Sequence, residues 1–228
     1  MQQPDLRQER RLWAAGCRPV AGVDEAGRGA WAGPVVAAAV ILPELRGLRR
    51  MLHGVRDSKL MTPAQREHWA PRIELLALAS AIGQSSAEEI DRLGILPATR
   101  LAMRRAVEAL ATRPAHLLID YLLLPELPQP QTGLTHGDAR VLSIAAASVL
   151  AKVDRDRSMA ALDAAYPGYG FGQHKGYGTR YHQEALARLG PSPIHRRSYA
   201  PVQRVCATSV YPAEGQTAEL PLSVAMPL

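Results

Sequence analysis

Residues 35–42 (VVAAAVIL) are an unbroken run of β-branched and small apolar side chains, closed by Pro43. Such a run suits a strand, and with no polar residue alternating along it that strand must be buried on both faces of a sheet. A second run, His116 to Asp120 (HLLID), reads as another buried strand and ends in a carboxylate. Helical signals lie around these strands. Residues 6–15 predict a short helix stopped by Gly16, followed by a strand from Pro19 to Asp24 with turn glycines at Gly27 and Gly29. Thr62, Pro63 and Gln65 supply an N-cap, an N1 proline and a capping-box partner for a helix that Pro71 should kink or split. Ser86 with Glu89 repeats the capping box, and Ala98 to Thr112 has the composition of a helix. Pro125 to Thr135 reads as a proline-rich loop, and Ala139 to Ala165 as a long helix whose Ala145, Ala146 and Ala147 permit close packing. A last helix, from Thr179 to Leu189, stops at Gly190-Pro191. Strands alternating with helices predict an α/β domain with a mixed sheet over residues 1–165, a smaller C-terminal helical part over 166–204, and a loosely ordered tail over 205–228.

Composition narrows the function classes. At 228 residues the chain suits one substantial domain with a real core. Cys17 and Cys206 form no metal-ligand spacing, which excludes a disulfide scaffold or a zinc module. No apolar run approaches the roughly 18 residues of a membrane span, and the charged start lacks the apolar core of a signal peptide, so a cytoplasmic protein without membrane association is expected. The net charge is +6, and the segment from Val205 onward carries Glu214 and Glu219 with no basic residue, which leaves +8 on the first 204 residues. A basic body suggests a polyanionic partner.

The acids are placed for chemistry. Asp24 and Glu25 close the first strand, Asp120 closes HLLID, and Asp138 precedes the long helix. Carboxylates at strand ends converge on one edge of an α/β sheet, and they repel one another unless a divalent cation neutralises them. Hard oxygen donors without His or Cys favour Mg²⁺ or Mn²⁺, and two such ions about 4 Å apart can hold and hydrolyse a phosphodiester. Two plainer readings stand beside this one: an Asp-Glu pair is often solvated surface, and Asp138 suits an N-cap for a helix from Ala139. Neighbouring strand residues also point to opposite faces, so Asp24 and Glu25 share a site only if the chain leaves regular β geometry near Glu25. Asp120 weighs against surface decoration, because the residues before it are buried.

Gly27-Arg28-Gly29 is a short loop that lets backbone amides approach a sugar or phosphate, although most such triplets are turns. Ser148, Lys152 and Arg155 form a polar stripe on the long helix, either a ligand-facing row or a solvated face. The segment from Tyr166 to Tyr181 holds five of the eleven aromatics, with His174 and Lys175 between them. Interleaved rings and cations suit stacking beside phosphate contacts, whereas a small aromatic core is the better account of Phe171 and Tyr166. His195, Arg196 and Arg197 form a basic knot with no evident role.

Read together, GVDEAGRGAWAGPVVAAAVIL (22–42), DSKLMT (57–62), LLID (117–120), GDARVLSIAAASVLAKVDRDRSM (137–159), YPGYGFGQHKGYGT (166–179) and GPSPIHRRSY (190–199) resemble the bacterial type 2 ribonuclease H family, ribonuclease HII. The resemblance covers residues from about 8 to 200 in order. It implies a ribonuclease H-like fold and cleavage of the RNA strand of RNA–DNA hybrids and of DNA duplexes with embedded ribonucleotides, by a monomer. It also implies that Asp24, Glu25, Asp120 and Asp138 are the catalytic, metal-binding carboxylates, that Gly27, Arg28 and Gly29 sense the ribose 2′-hydroxyl, and that Tyr177 stacks on the adjacent deoxyribose. Lys59, Ser148 and Lys152 match positions near the nucleic-acid backbone. The sequence departs from the family's pattern at Tyr121, where a glycine commonly follows the aspartate, at Leu60-Met61, and in its tail without basic residues. The sister family, ribonuclease HIII, is disfavoured because about 20 residues precede DEAGRG. The alternative from another class is a nucleic-acid-binding protein of the same fold that has lost catalysis.

Overall fold

The computed structural model describes residues 3–208. Its strands are β1 (Val20–Ala26), β2 (Val35–Ile41), β3 (Ala79–Ser85), β4 (His116–Asp120) and β5 (Gln131–Leu134). Its helices are α1 (Arg7–Ala14), α2 (Leu48–Met51), α3 (Pro63–Leu76), α4 (Ala87–Leu93), α5 (Ile95–Glu108), α6 (Leu142–Ala165), α7 (Phe171–His174), α8 (Arg180–Leu189) and α9 (Ala200–Thr208), with 3₁₀ turns at Ser58–Leu60 and Gly137–Ala139. The sheet has the order β3-β2-β1-β4-β5. β1, β2 and β3 pair antiparallel, while β4 runs parallel to β1 and β5 parallel to β4, so the sheet is mixed.

Every residue of β2 is buried, because both faces of the sheet are covered. Ala38 and Val40 join Val20, Leu118 and the Ala145–Ala147 row of α6 in one core, while Ala37, Ala39 and Ile41 join Val23, Ile119 and Met103 of α5 in the other. The α6 helix lies directly on β1: a Cβ on Gly22 would come within 2.2 Å of the Ser143 backbone. A third, smaller core of Ala32, Met159, Tyr169, Phe171 and Ala185 ties the segment after residue 165 to the end of α6.

Several boundaries differ from the sequence-based expectation. β1 stays paired with β2 through Ala26, so the chain does not leave β geometry at Glu25. β3 and β5, absent from the reading, are the two edge strands, and β5 lies inside the proline-rich loop. Helix α3 is continuous through Pro71, which is exposed, so water can satisfy the carbonyl whose hydrogen bond the ring removes. α5 runs from Ile95 to Glu108, three residues earlier at its start than expected.

Asp138 is not a helix cap. Residues 137–139 form a 3₁₀ turn, and α6 begins only at Leu142 behind an extended Val141 that bridges to Asp5. The buried first turn of α6 is satisfied from α1 instead, where the buried Glu9 carboxylate accepts the Ser143 N–H at 2.9 Å. Helix α9 continues past residue 205, where the loose tail was expected to begin; the rest of that tail, 209–228, lies outside the described residues.

Candidate active site

In the parallel pairing of β1 with β4, Val23 stands beside Ile119, and the next residue of each strand is an aspartate. Asp24 and Asp120 therefore lie side by side on the face covered by α6. The 3₁₀ turn brings Asp138 to the same place, and one carboxylate oxygen from each of the three lies within 4.8 Å of the others. Asp120 Oδ1 accepts the Gly137 N–H at 2.7 Å, which ties that turn to the end of β4. Asp24 and Asp138 are each 3% exposed, too little for water to screen three like charges.

Glu25 projects from the opposite face of β1 and is not part of this trio, although it lines the same cleft. Its Oε1 accepts from Arg28 Nη1 at 3.2 Å, and its Oε2 is buried without a hydrogen-bond partner. Burial, then the charges of Glu25 and Asp120, push the Asp24 carboxyl well above the usual carboxylate range. Burial raises Glu25 as well, against the opposing pull of Arg28. Asp138 is raised by burial and by Asp57, with Lys59 opposing. Clustered carboxylate oxygens, no histidine or thiol among them, and an orphaned Oε2 nearby together fit a hard divalent cation.

The cleft has a volume of about 670 Å³, and Asp24, Glu25, Asp120, Gly27, Arg28, Gly29, Lys59, Lys152 and Tyr177 all line it. Lys59 Nζ is 3.5 Å from Asp138 Oδ2 on a side chain that is otherwise exposed. Lys152 is paired with Asp156, which also takes Arg66. Ser148 is buried below the cleft floor, sharing a 2.8 Å hydrogen bond with Ser58, and it opposes the upward push on the Asp24 carboxyl. The solvated-face reading of the α6 stripe is thus overturned: Ser148 and Arg155 are fully buried, and the stripe runs under the cleft.

Arg155 donates to three carbonyls, Pro34 at 2.9 Å, Lys175 at 2.9 Å and Ala32 at 3.2 Å, and lies 5.3 Å from the centre of the Tyr177 ring. Tyr177 is thereby separated from the aromatic core, which takes Phe171 and Tyr169 fully and Tyr166 in part. The residues that hold the cleft walls, Arg155, Arg196 and Tyr199, escaped the sequence reading as structural parts. Their one sequence signal was a cation on an otherwise apolar helix face and a basic pair with no other assignment. Tyr121, the departure beside Asp120, has φ 63° and is 64% exposed. That left-handed backbone favours glycine.

The family model for Ribonuclease HII matches residues 21–202. A ribonuclease HII from Dehalococcoides mccartyi is 52% identical over 88% of this chain and 94% of its own length. One from a Synechococcus strain is 55% identical over 91% of this chain and 93% of its own. Among solved structures, the ribonuclease H2 of Pyrococcus horikoshii superposes with a TM-score of 0.65 at 27% identity, covering 82% of this chain and 96% of that one.

Proposed function

The chain belongs to the ribonuclease HII family, and from that premise we propose how its cleft hydrolyses the RNA strand of a hybrid duplex. The protein is a ribonuclease H, and the alternative of an inactive binding protein of the same fold is not favoured. The observation that carries the mechanistic reading is the meeting of Asp24, Asp120 and Asp138 within 4.8 Å at the floor of a cleft lined by basic and aromatic groups.

In this reading Asp24, Asp120 and Asp138, with Glu25 completing the set, hold Mg²⁺ or Mn²⁺. Divalent ions held by these carboxylates would lower the pKa of a bound water and offset negative charge on the phosphate. The chain's own groups do the rest. Ser148, below Asp24, and the Gly137 amide, on Asp120, fix the orientation of the carboxylates. The loop Gly27-Arg28-Gly29 presents backbone to the sugar of a ribonucleotide, whose 2′-hydroxyl marks it as RNA. Tyr177, with cations beneath its ring, offers a face to the neighbouring deoxyribose. Lys59 and Lys152 contribute positive potential beside the phosphates. The cut falls 5′ of a ribonucleotide, including one embedded in duplex DNA, and leaves 3′-hydroxyl and 5′-phosphate ends.

We further infer that residues 1–165 form the catalytic domain, that residues 166–204 clamp the duplex, and that the enzyme acts as a cytoplasmic monomer in ribonucleotide removal during DNA replication and repair. No helix among the described residues is long and apolar enough to cross a membrane. A direct test of the metal site is the unfolding temperature with and without millimolar Mg²⁺ or Mn²⁺. The carboxylate cluster predicts a clear rise on adding metal, and the absence of any shift contradicts it.

A further inference from the structure

Arg196 is completely buried and forms no ion pair among the described residues. A buried guanidinium without a counter-charge is expensive, so its hydrogen bonds must hold something in place. They hold the loop after β1. Nε donates to the Gly33 carbonyl at 3.0 Å, and Nη1 donates to the Arg28 carbonyl at 2.8 Å and to the Tyr199 hydroxyl oxygen at 3.1 Å. The Tyr199 hydroxyl in turn donates to the same Arg28 carbonyl at 2.6 Å. The backbone on either side is stitched to this segment as well, Arg196 N–H to the Trp31 carbonyl at 2.8 Å and Gly33 N–H to the Ile194 carbonyl at 2.9 Å.

In a trans peptide the carbonyl and the following N–H point in opposite directions. Two donors draw the Arg28 carbonyl inward, so the N–H of Gly29 is turned outward. That N–H donates to no acceptor among the described residues. A Cβ built on Gly29 would meet nothing within 4 Å, so the space before the amide is open, and Gly29 and Tyr199 both line the cleft that holds Asp24 and Asp120.

We propose that Arg196 and Tyr199 are positioning residues for ribose recognition: by clamping the Arg28 carbonyl they aim the Gly29 N–H into the cleft as a hydrogen-bond donor for the 2′-oxygen of a ribonucleotide. This rests on the ribonuclease reading above and assigns a role to the basic segment that follows Pro193. It separates the tasks within the loop. The Arg28 side chain belongs to Glu25, while the Arg28–Gly29 peptide plane belongs to the sugar and is held from behind by the C-terminal segment.

The test uses Tyr199→Phe, which removes the 2.6 Å donor and keeps the ring that stacks 5.3 Å from the Arg196 guanidinium. Three quantities are measured: kcat/KM on a DNA duplex with one ribonucleotide, Kd for the all-DNA duplex of the same sequence, and the unfolding temperature. The expected result is a loss of about fivefold or more in kcat/KM, with the all-DNA Kd and the unfolding temperature nearly unchanged. Unchanged kcat/KM, or a parallel loss in kcat/KM and all-DNA binding, overturns the proposal. A second measurement does not depend on the variant: the Gly29 amide resonance of the wild-type protein should shift on adding the ribonucleotide duplex under metal-free conditions and stay still with the all-DNA duplex. Equal response to both duplexes overturns the proposal. If the wild-type protein leaves the ribonucleotide duplex uncut, the ribonuclease reading itself has failed; if it cuts and Tyr199→Phe cuts equally well, only the positioning role has.

Discussion

Gly27 and Arg155 compete for one place: a Cβ on Gly27 would lie 2.0 Å from Arg155 Nε. Gly27 also has φ 97°, so both its backbone and its neighbour require glycine. Gly29, two residues on, has open space where its side chain would be. The same substitution therefore separates two kinds of requirement. Gly27→Ala should destabilise the fold by about 3 kcal/mol, through strain and displacement of a buried arginine. Gly29→Ala should leave urea-induced unfolding unchanged, yet lower cleavage at a single ribonucleotide by about tenfold or more, because its methyl fills space meant for the sugar. Equal loss of stability in the two variants contradicts this division.

Asp24 should trade stability for activity. Its folded pKa lies above the unfolded value, so it favours the folded state below pH 3.8, and that contribution is lost as pH rises through the elevated folded value. Without metal, a charge on Asp24, buried beside Glu25 and Asp120, costs folded-state stability. Asp24→Asn should therefore raise the metal-free unfolding temperature at pH 7 and blunt the stabilisation by Mg²⁺. A variant less stable than wild type at pH 7 and unchanged in its response to Mg²⁺ contradicts the clustering.

The buried histidines should set an acid limit. Ser192 N–H donates to His195 Nδ1 at 2.9 Å, which leaves His195 Nε2–H to donate to His182 Nε2 at 3.0 Å and His182 Nδ1–H to the Tyr177 carbonyl at 3.0 Å. This chain accommodates neutral rings only. Burial pushes both histidines down to about 4, with His174 further lowering His182 and His182 further lowering His195. Because the folded pKa values lie below the unfolded 6.5, their stabilisation is complete above 6.5 and is lost as pH falls from there towards 4. Each histidine accounts for on the order of 3 kcal/mol of that loss. Urea midpoints measured between pH 7 and pH 4.5 should fall accordingly in the wild type and much less in His182→Gln. Parallel curves for the two proteins contradict the chain.

The sheet's centre was legible because burial on both faces leaves a continuous apolar run in β2 and β4, a pattern that needs no knowledge of partners. The edge strands were not. β3 carries Ser80, Gly83 and Gln84, and β5 sits among prolines, so neither shows the alternation or the apolar run that marks a strand. The acids were legible as strand-end carboxylates, but the environment of Asp138 was not, because α6 starts where Asp5 bridges Val141 and where Glu9 caps Ser143 from 134 residues away. Arg155 and Arg196 were hidden for a related reason. Each is held in the interior by carbonyls from elsewhere in the chain, and those carbonyls, at positions 28, 32, 33, 34 and 175, are set by the tertiary fold.

Cutting beside a ribonucleotide should require the Asp24, Asp120 and Asp138 cluster loaded with divalent metal. The measurement is cleavage of a DNA duplex carrying one ribonucleotide, with the cut position mapped, for wild type and Asp24→Asn in Mg²⁺, in Mn²⁺ and with chelator. Wild type should make a single cut 5′ of the ribonucleotide with metal and none with chelator. Asp24→Asn should lose roughly 10³-fold or more in rate, with duplex binding nearly intact. Cleavage by Asp24→Asn at the wild-type rate, or an intact duplex after incubation of the wild-type protein with either metal, would contradict it.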